Sequence, residues 1–363
     1  MKQKLKVNSN LSHKNIALIS CSKVKNDHKV EAQNMYLGDL FKLSLALAKE
    51  MQMDKIYILS SEYGLLNIDT KIEPDTVCLK KFKKGEKQDW PNKVIHQLGQ
   101  ETDLENDQFY IFAGIKYREH LLDSLTHVHI PMQNLKVGEQ LKFLKEQLKY
   151  YDTVNKSLEL HKIFNQAKRY DNSFNADELI NNGIYILFEK GETYKGMDRV
   201  VRIGTHTGEN KLPARMVQHY QIETKDRSIF RKNIGRIYLN LENDPYIDVW
   251  NVSNTERANR LRNLPYRDFE KEASLEARIT EEINNHFSFA LIKVEDKIYR
   301  LYLEMAIIAT IAQGDSKPSA SWLGNNSPVD KIRDYGLWQV QGLKREPITN
   351  EDLEYIKQHI VNP

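Results

Sequence analysis

The sequence predicts an α/β domain with a mostly parallel sheet, followed by an α+β domain. Three observations carry that expectation. In the first half, short apolar runs end on small polar residues and alternate with a helical pattern. A long polar, helix-compatible stretch occupies the middle. The second half opens on a β-rich run, turns on two glycines and then becomes mostly helical.

The first apolar run is Ile16–Ile19 (IALI), closed by Ser20-Cys21-Ser22. From Tyr36 to Met51, Leu40, Phe41, Leu43, Ala46 and Leu47 recur at helical spacing. A second run, Lys55–Leu59 (KIYIL), meets Ser60-Ser61-Glu62-Tyr63-Gly64, and a third, Phe109–Ala113 (FYIFA), is closed by Gly114. Open sheets of this kind bind ligands at the carboxyl ends of their strands, where these polar residues fall. Residues 137–167 are charged and helix-compatible, until Asp171-Asn172-Ser173-Phe174-Asn175 breaks the pattern. The expected domains are therefore 14–150 and 177–345, with a helical connector at 151–176 and a C-terminal tail at 346–363. Within the second, Gly183–Phe188 and Arg199–Ile203 read as a hairpin with a long loop marked by Gly191 and Gly196. Helical patterns around Leu212–Tyr220 and Ser274–Asn285 precede a strand pair at Phe289–Val294 and Lys297–Leu301, then an apolar helix over Leu303–Ala312.

Composition narrows the class. A chain of 363 residues exceeds a typical single core, which supports two domains. No apolar run is long enough to span a bilayer, and the first residues lack the apolar stretch of a signal peptide. The expected location is the cytoplasm, with no membrane partner. The two cysteines, Cys21 and Cys78, form no CxxC pair, which excludes a disulfide framework and a cysteine-rich zinc site. A net charge of +3 permits nucleic-acid binding without demanding it.

Phosphodiester hydrolysis needs an activated water, positive charge for the crowded transition state and neutralisation of the leaving oxygen. The second half holds candidates for each. Tyr185 brings a phenol to the first strand, and Arg202 and His206 flank the Ile203-Gly204-Thr205 end of the second. Arg215 and His219, four apart, share a helix face. Glu304 stands in an apolar helix, where an ionised carboxylate is costly unless partnered. Trp322 and Trp338 read as core residues.

Gly183-Ile184-Tyr185 on one strand, a glycine-bearing second strand, a helical arginine and a late helical glutamate together resemble the GIY-YIG nucleases. The Arg215-x-x-x-His219 pair resembles the form found in some GIY-YIG restriction enzymes. The ordered blocks RVVRIGTH, LPARMVQH, DRSIFRKNIG, LEMAI, SASWLG and IRDYGLWQV are similar to a bacterial subfamily, over residues 182–342. The resemblance implies that Tyr185 is the general base or positions the water. Arg215 would bind the scissile phosphate, assisted by His219, and Glu304 would hold one divalent cation, expected to be Mg²⁺. The tyrosine of the second motif is replaced here by Arg202, so a two-tyrosine relay is excluded. Arg202 would offer a second phosphate contact, or His206 would take the proton role.

A basic stretch follows: Lys211, Arg215, Lys225, Arg227, Arg231, Lys232 and Arg236, against only Glu223 and Asp226. Beside a phosphate-cleaving site it reads as a DNA-contact face, with Lys211, Arg227, Arg231 and Lys232 as nucleic-acid contacts. Ser228-Ile229-Phe230 would pack on the core and hold the flanking arginines in register.

In the first half, Ser20-Cys21-Ser22-Lys23, Tyr36 to Phe41, Ser60 to Leu66, Ile72 to Asp75 and Ala113 to Tyr117 follow in order. The set resembles an uncharacterised bacterial α/β domain, distantly similar to the glycosylase-like domain of archaeal tRNA-guanine transglycosylase relatives. A pocket for an extruded base would use Ser20, Cys21, Ser22, Lys23, Ser61, Tyr36 and Tyr117, with Glu62, Asp75 or Asp39 as the carboxylate. The combined expectation is an Mg²⁺-dependent DNA endonuclease in restriction of foreign or phage DNA. Its first domain would recognise or excise a modified base, and a homodimer would allow both strands to be cut. Two alternatives stand beside it: a non-catalytic nucleic-acid binder with a degenerate nuclease domain, and an RNA-directed nuclease.

Overall fold

The computed structural model describes Leu5, residues 13–77, Phe82 and residues 86–363; Cys78 falls outside these. The chain divides into two compact units, Met1–Asp152 and Thr153–Pro363. The division falls inside one 30-residue helix, Val137–Gln166, which coincides with the predicted polar helical stretch. No helix among the described residues is long and apolar enough to cross a membrane.

The first unit is built on β1 (Asn15–Ser20), β2 (Val30–Glu31), β3 (Lys55–Ser60), β4 (Gly64–Asn67), β5 (Lys71–Ile72), β6 (Gln108–Phe112) and β7 (His127–His129). Its main sheet runs β4-β3-β1-β6-β7, parallel except for β4, and β2 pairs separately with β5. β1 is central and covered on both faces, with Ile16 and Leu18 against Trp90 and Leu98, and Ala17 and Ile19 against Phe41 and Leu45. Two covered faces explain why its sequence is a continuous apolar run and not an alternating one. The chain leaves β1 for β3 on one side and crosses to β6 on the other. The strand order therefore reverses between β1 and β6, which is where open α/β sheets leave a crevice.

The second unit is a three-stranded antiparallel sheet, β10-β8-β9, from β8 (Gly183–Tyr194), β9 (Met197–Gly204) and β10 (Phe287–Lys293). Helices cover both faces. Ile184, Ile186 and Phe188 meet Leu303, Ile307 and Ile311 of the Lys297–Gln313 helix, while Tyr185 and Leu187 face Met216, Phe230, Ile234 and Trp338. Each fully buried aliphatic side chain here contributes about 1.5–3 kcal/mol.

Three boundaries differ from expectation. The hairpin has no long loop: β8 and β9 run on to a two-residue turn, Lys195-Gly196, both at positive φ, the geometry that matches strand twist. Lys297–Leu301 is not a strand, because the Asp296 carboxylate accepts from the Tyr299 amide at 2.6 Å and caps a helix there. Glu304 accordingly stands in that helix's third turn and not at its start. Residues 346–363 are no tail. Thr349 and Asp352 form a capping box for the Asn350–His359 helix, and Ile348, Leu353, Ile356 and Ile360 join the core under the sheet.

Candidate active site

Tyr185 projects from the central strand opposite Gly204. A Cβ at position 204 would fall 2.2 Å from the Tyr185 hydroxyl, so the ring crosses β9 only because that residue is glycine. Gly204→Ala should therefore push the phenol out of place and slow any reaction that depends on it about a hundredfold, with little change in ligand affinity. Rate assays beside binding titrations would check this; a wild-type rate would refute the close packing.

The Leu212–Tyr220 helix seats Leu212, Met216 and Tyr220 in the core and brings His219 beneath the phenol. The Tyr185 hydroxyl shares a 2.9 Å hydrogen bond with His219 Nε2, and His219 Nδ1 shares one of 2.7 Å with Ser228 Oγ. Ser228 also caps the Ile229–Leu241 helix, accepting from the Arg231 amide at 3.2 Å. Burial, then Arg215, Arg202 and Arg231, hold the His219 imidazole far below its ordinary pKa, so it is neutral. From sequence, Ser228 reads only as a residue that packs on the core. Its place before a helical run is the signal of an N-cap, but its bond to His219 is a tertiary fact.

Glu304 reaches the same end of the sheet and is 9% exposed. Burial pushes its carboxyl up to about 7, while Arg202, the Thr205 amide and Arg215 pull the other way. No side chain among the described residues forms an ion pair or hydrogen bond with it. Arg215 is half-buried at the rim, donating to the Arg227 carbonyl at 2.8 Å and to Gln218 Oε1 at 3.2 Å. Arg202 stands opposite Leu187 on the Tyr185 face and donates to the Trp338 carbonyl, but its buried Nε has no partner in the described structure. His206 does not join this group as a free proton acceptor. Its Nδ1 bonds the Gly208 carbonyl at 2.5 Å and its Nε2 accepts from the Gly183 amide at 3.4 Å, so it ties down the loop after β9.

The basic stretch is mostly structural, which corrects the expected contact face. Arg231 is fully buried, bidentate to Glu276 and bonded to Thr280 Oγ1 at 2.7 Å and to the His219 carbonyl. Lys232 is buried and donates to the Asn251 carbonyl at 2.6 Å; burial lowers its pKa to about 8. Lys225 donates to the Val252 carbonyl at 2.8 Å and Arg236 to Asn251 Oδ1 at 2.6 Å. Lys225 and Lys232 thereby cap the C-terminal end of the Ile247–Asn251 helix, where its carbonyls point, and Arg236 holds the Asn251 side chain. Lys211 and Arg227 remain exposed.

The late tryptophans are core residues. Trp322 and Trp338 each donate an indole N–H to Glu189 Oε2 at 2.8 Å, and the adjoining Glu192–Arg199 ion pair is buried as well. Both blocks that contain them thereby fasten the C-terminal segments to the hairpin.

In the first unit a cavity of about 590 Å³ opens at the β1/β6 crevice. Ser20, Cys21, Ser22 and Tyr117 line it, with Phe41 and Phe112 as apolar walls and Asp39 as the one acidic side chain. The Tyr117 hydroxyl bonds Cys21 Sγ at 3.1 Å and Ser61 Oγ at 2.9 Å, so the ends of β1 and β3 are joined through it. The other expected pocket residues are elsewhere. Tyr36 is buried in the core with its hydroxyl on Ser60, and Asp75 is ion-paired to Lys25 at 2.5 Å. Lys23 and Glu62 are exposed and line no part of the cavity. The carboxylates Glu62 and Asp75 invoked for base excision are thus not placed for it.

A model of the GIY-YIG domain matches residues 143–362, and one of a family of unknown function (DUF6884) matches residues 16–146. The first match extends past the motifs read over 182–342, taking in the preceding helix and the last one, both packed on the same core. No curated protein and no solved structure shows significant similarity to the chain.

Proposed function

Because the chain belongs to the GIY-YIG family, we propose that it is a metal-dependent endonuclease acting on DNA, with Tyr185, His219, Arg215 and Glu304 as its working residues. The observation that supports this best is the Tyr185–His219–Ser228 hydrogen-bond chain, which shares one end of the sheet with Glu304 and Arg215. Tyr185 is 1% exposed and His219 is wholly buried, so the relay works away from bulk water, while Arg215 faces the open side. With Ser228 holding Nδ1–H, His219 Nε2 is the acceptor for the phenol proton. With its own proton held in that bond, the Tyr185 oxygen is free to accept from the attacking water and position it. Arg215 binds the scissile phosphate through charge-assisted hydrogen bonds. Arg202, in place of the second motif tyrosine, favours ionised Glu304 and leaves donors for a phosphate oxygen.

Glu304 fits a hard divalent cation: it is a carboxylate without a side-chain partner among the described residues, and Mg²⁺ commonly takes one or two carboxylates with water and phosphate oxygens completing its shell. When bound, the ion supplies charge that neutralises the leaving oxygen. The Arg215-x-x-x-His219 arrangement supports a role in restricting foreign DNA. The first unit, whose cavity has an apolar wall and a serine-rich rim, would act as the sensor of an altered base.

The test is incubation of the full chain with plain and base-modified duplexes in Mg²⁺, with and without a chelator. Expected are new strand ends that vanish on chelation and form faster on one modified duplex. Chelator-resistant cleavage, or none on any DNA, would refute the nuclease reading; equal rates on all duplexes would refute the sensor.

A further inference from the structure

We infer that the segment 255–269 of the second unit is the arm by which this chain grips duplex DNA, an inference resting on the nuclease reading above. It comprises the short helix Arg257–Asn263, a turn at Leu264–Tyr266 and the approach to the next helix at Phe269. Arg257, Arg260 and Arg262 are exposed, and no carboxylate of the described residues pairs with them. Beside them stand large apolar side chains that the fold leaves in solvent: Leu261, between Arg260 and Arg262, at 57% exposure, and Tyr266, past Arg262, at 69%. Exposed arginines beside exposed apolar groups, with Arg262 donating only to the neutral Asn259 side chain at 2.9 Å among the described residues, match a phosphate backbone beside sugar and base edges.

The buried cations give the arm its footing. Lys225, Lys232 and Arg236 hold Val252 and Asn251, just before the arm begins. Asn254 then donates to both Asp226 oxygens, at 2.9 Å from its amide and 3.1 Å from its side chain. Asn263, at the end of the short helix, donates to Asn254 Oδ1 at 3.1 Å. Asp226 is followed by Arg227, whose carbonyl accepts from Arg215. The root of the arm is therefore fixed two residues' contacts away from the phosphate-binding arginine. Of the predicted contact face, the inner members build this support and the arm carries the outward charge.

The experiment is anisotropy of a fluorescein-labelled random-sequence duplex, titrated with full-length chain without metal over a range of salt. The triple variant Arg257→Ala/Arg260→Ala/Arg262→Ala should bind at least tenfold more weakly. Its log Kd against log salt should be shallower by about 3, from roughly 0.9 per lost phosphate contact. Leu261→Ser/Tyr266→Ser should weaken binding with the slope unchanged. A triple variant with wild-type affinity and slope, while the wild type binds, overturns the arm alone. A wild-type chain that binds no duplex at any salt overturns the nuclease reading with it. Should Leu261→Ser/Tyr266→Ser dissociate a dimer in sedimentation and leave DNA affinity intact, the face belongs to a second copy and the inference fails.

Discussion

Glu304→Gln is expected to lower DNA cleavage about a thousandfold, the loss typical when one preorganised charge is removed from a transition state. The same variant should be more stable than the wild type above neutral pH. The sign follows from the direction of the shift. The folded-state carboxyl is raised to about 7, above its unfolded value, so the folded chain binds more protons between those two values. Stability then falls as pH rises through that window, by up to about 3 kcal/mol, and glutamine escapes the loss. Below the unfolded carboxyl pKa the two chains should melt alike. Because a cation requires the ionised form, the Mg²⁺ concentration for half-maximal cleavage should drop as pH rises through about 7. Calorimetry and plasmid nicking at several pH values would measure both effects. Near-wild-type cleavage by Glu304→Gln would remove this residue from the site.

Arg231→Met should destabilise the chain by about 3–5 kcal/mol, because it leaves the buried Glu276 carboxylate without its counter-charge. Arg231 also donates to the His219 carbonyl and to Thr280, so its loss loosens the backbone that carries the relay histidine. Replacing the pair together, Arg231→Met/Glu276→Leu, should recover most of the stability, since no charge is then stranded. Urea unfolding of the three chains gives the answer. A fully stable Arg231→Met with weakened DNA binding would instead make Arg231 an exposed contact, against its complete burial.

Much of the local structure was legible. β1, β3, β6 and the Leu212–Tyr220 helix stand within a residue or two of their predicted limits, because apolar runs and helical spacing are encoded over a few neighbouring positions. Lys297–Leu301 misled because Ile298 and Tyr299 are strand-favouring residues in a short window, whereas the deciding Asp296 cap depends on backbone geometry. In the site, Tyr185, Arg215, His219 and Glu304 were all candidates, and the fold brings them to one sheet end. Ser228 as the third member of the relay, and His206 as a loop tie, were not legible. Their roles turn on which atom of each side chain meets a partner 9 or 23 residues away.

The sequence by itself determined the class of the elements and the family, since ordered motifs and periodicities are properties of the chain. Only the tertiary structure decided which cations stay in solvent. Lys225, Arg231 and Lys232 look no different in sequence from Lys211 and Arg227, for charge and spacing are the same. What separates them is a partner supplied from elsewhere: Glu276 for Arg231, the Asn251 carbonyl for Lys232 and the Val252 carbonyl for Lys225. Burying a cation is tolerable only where such acceptors converge, and their convergence is made by packing helices that spacing along the chain does not describe.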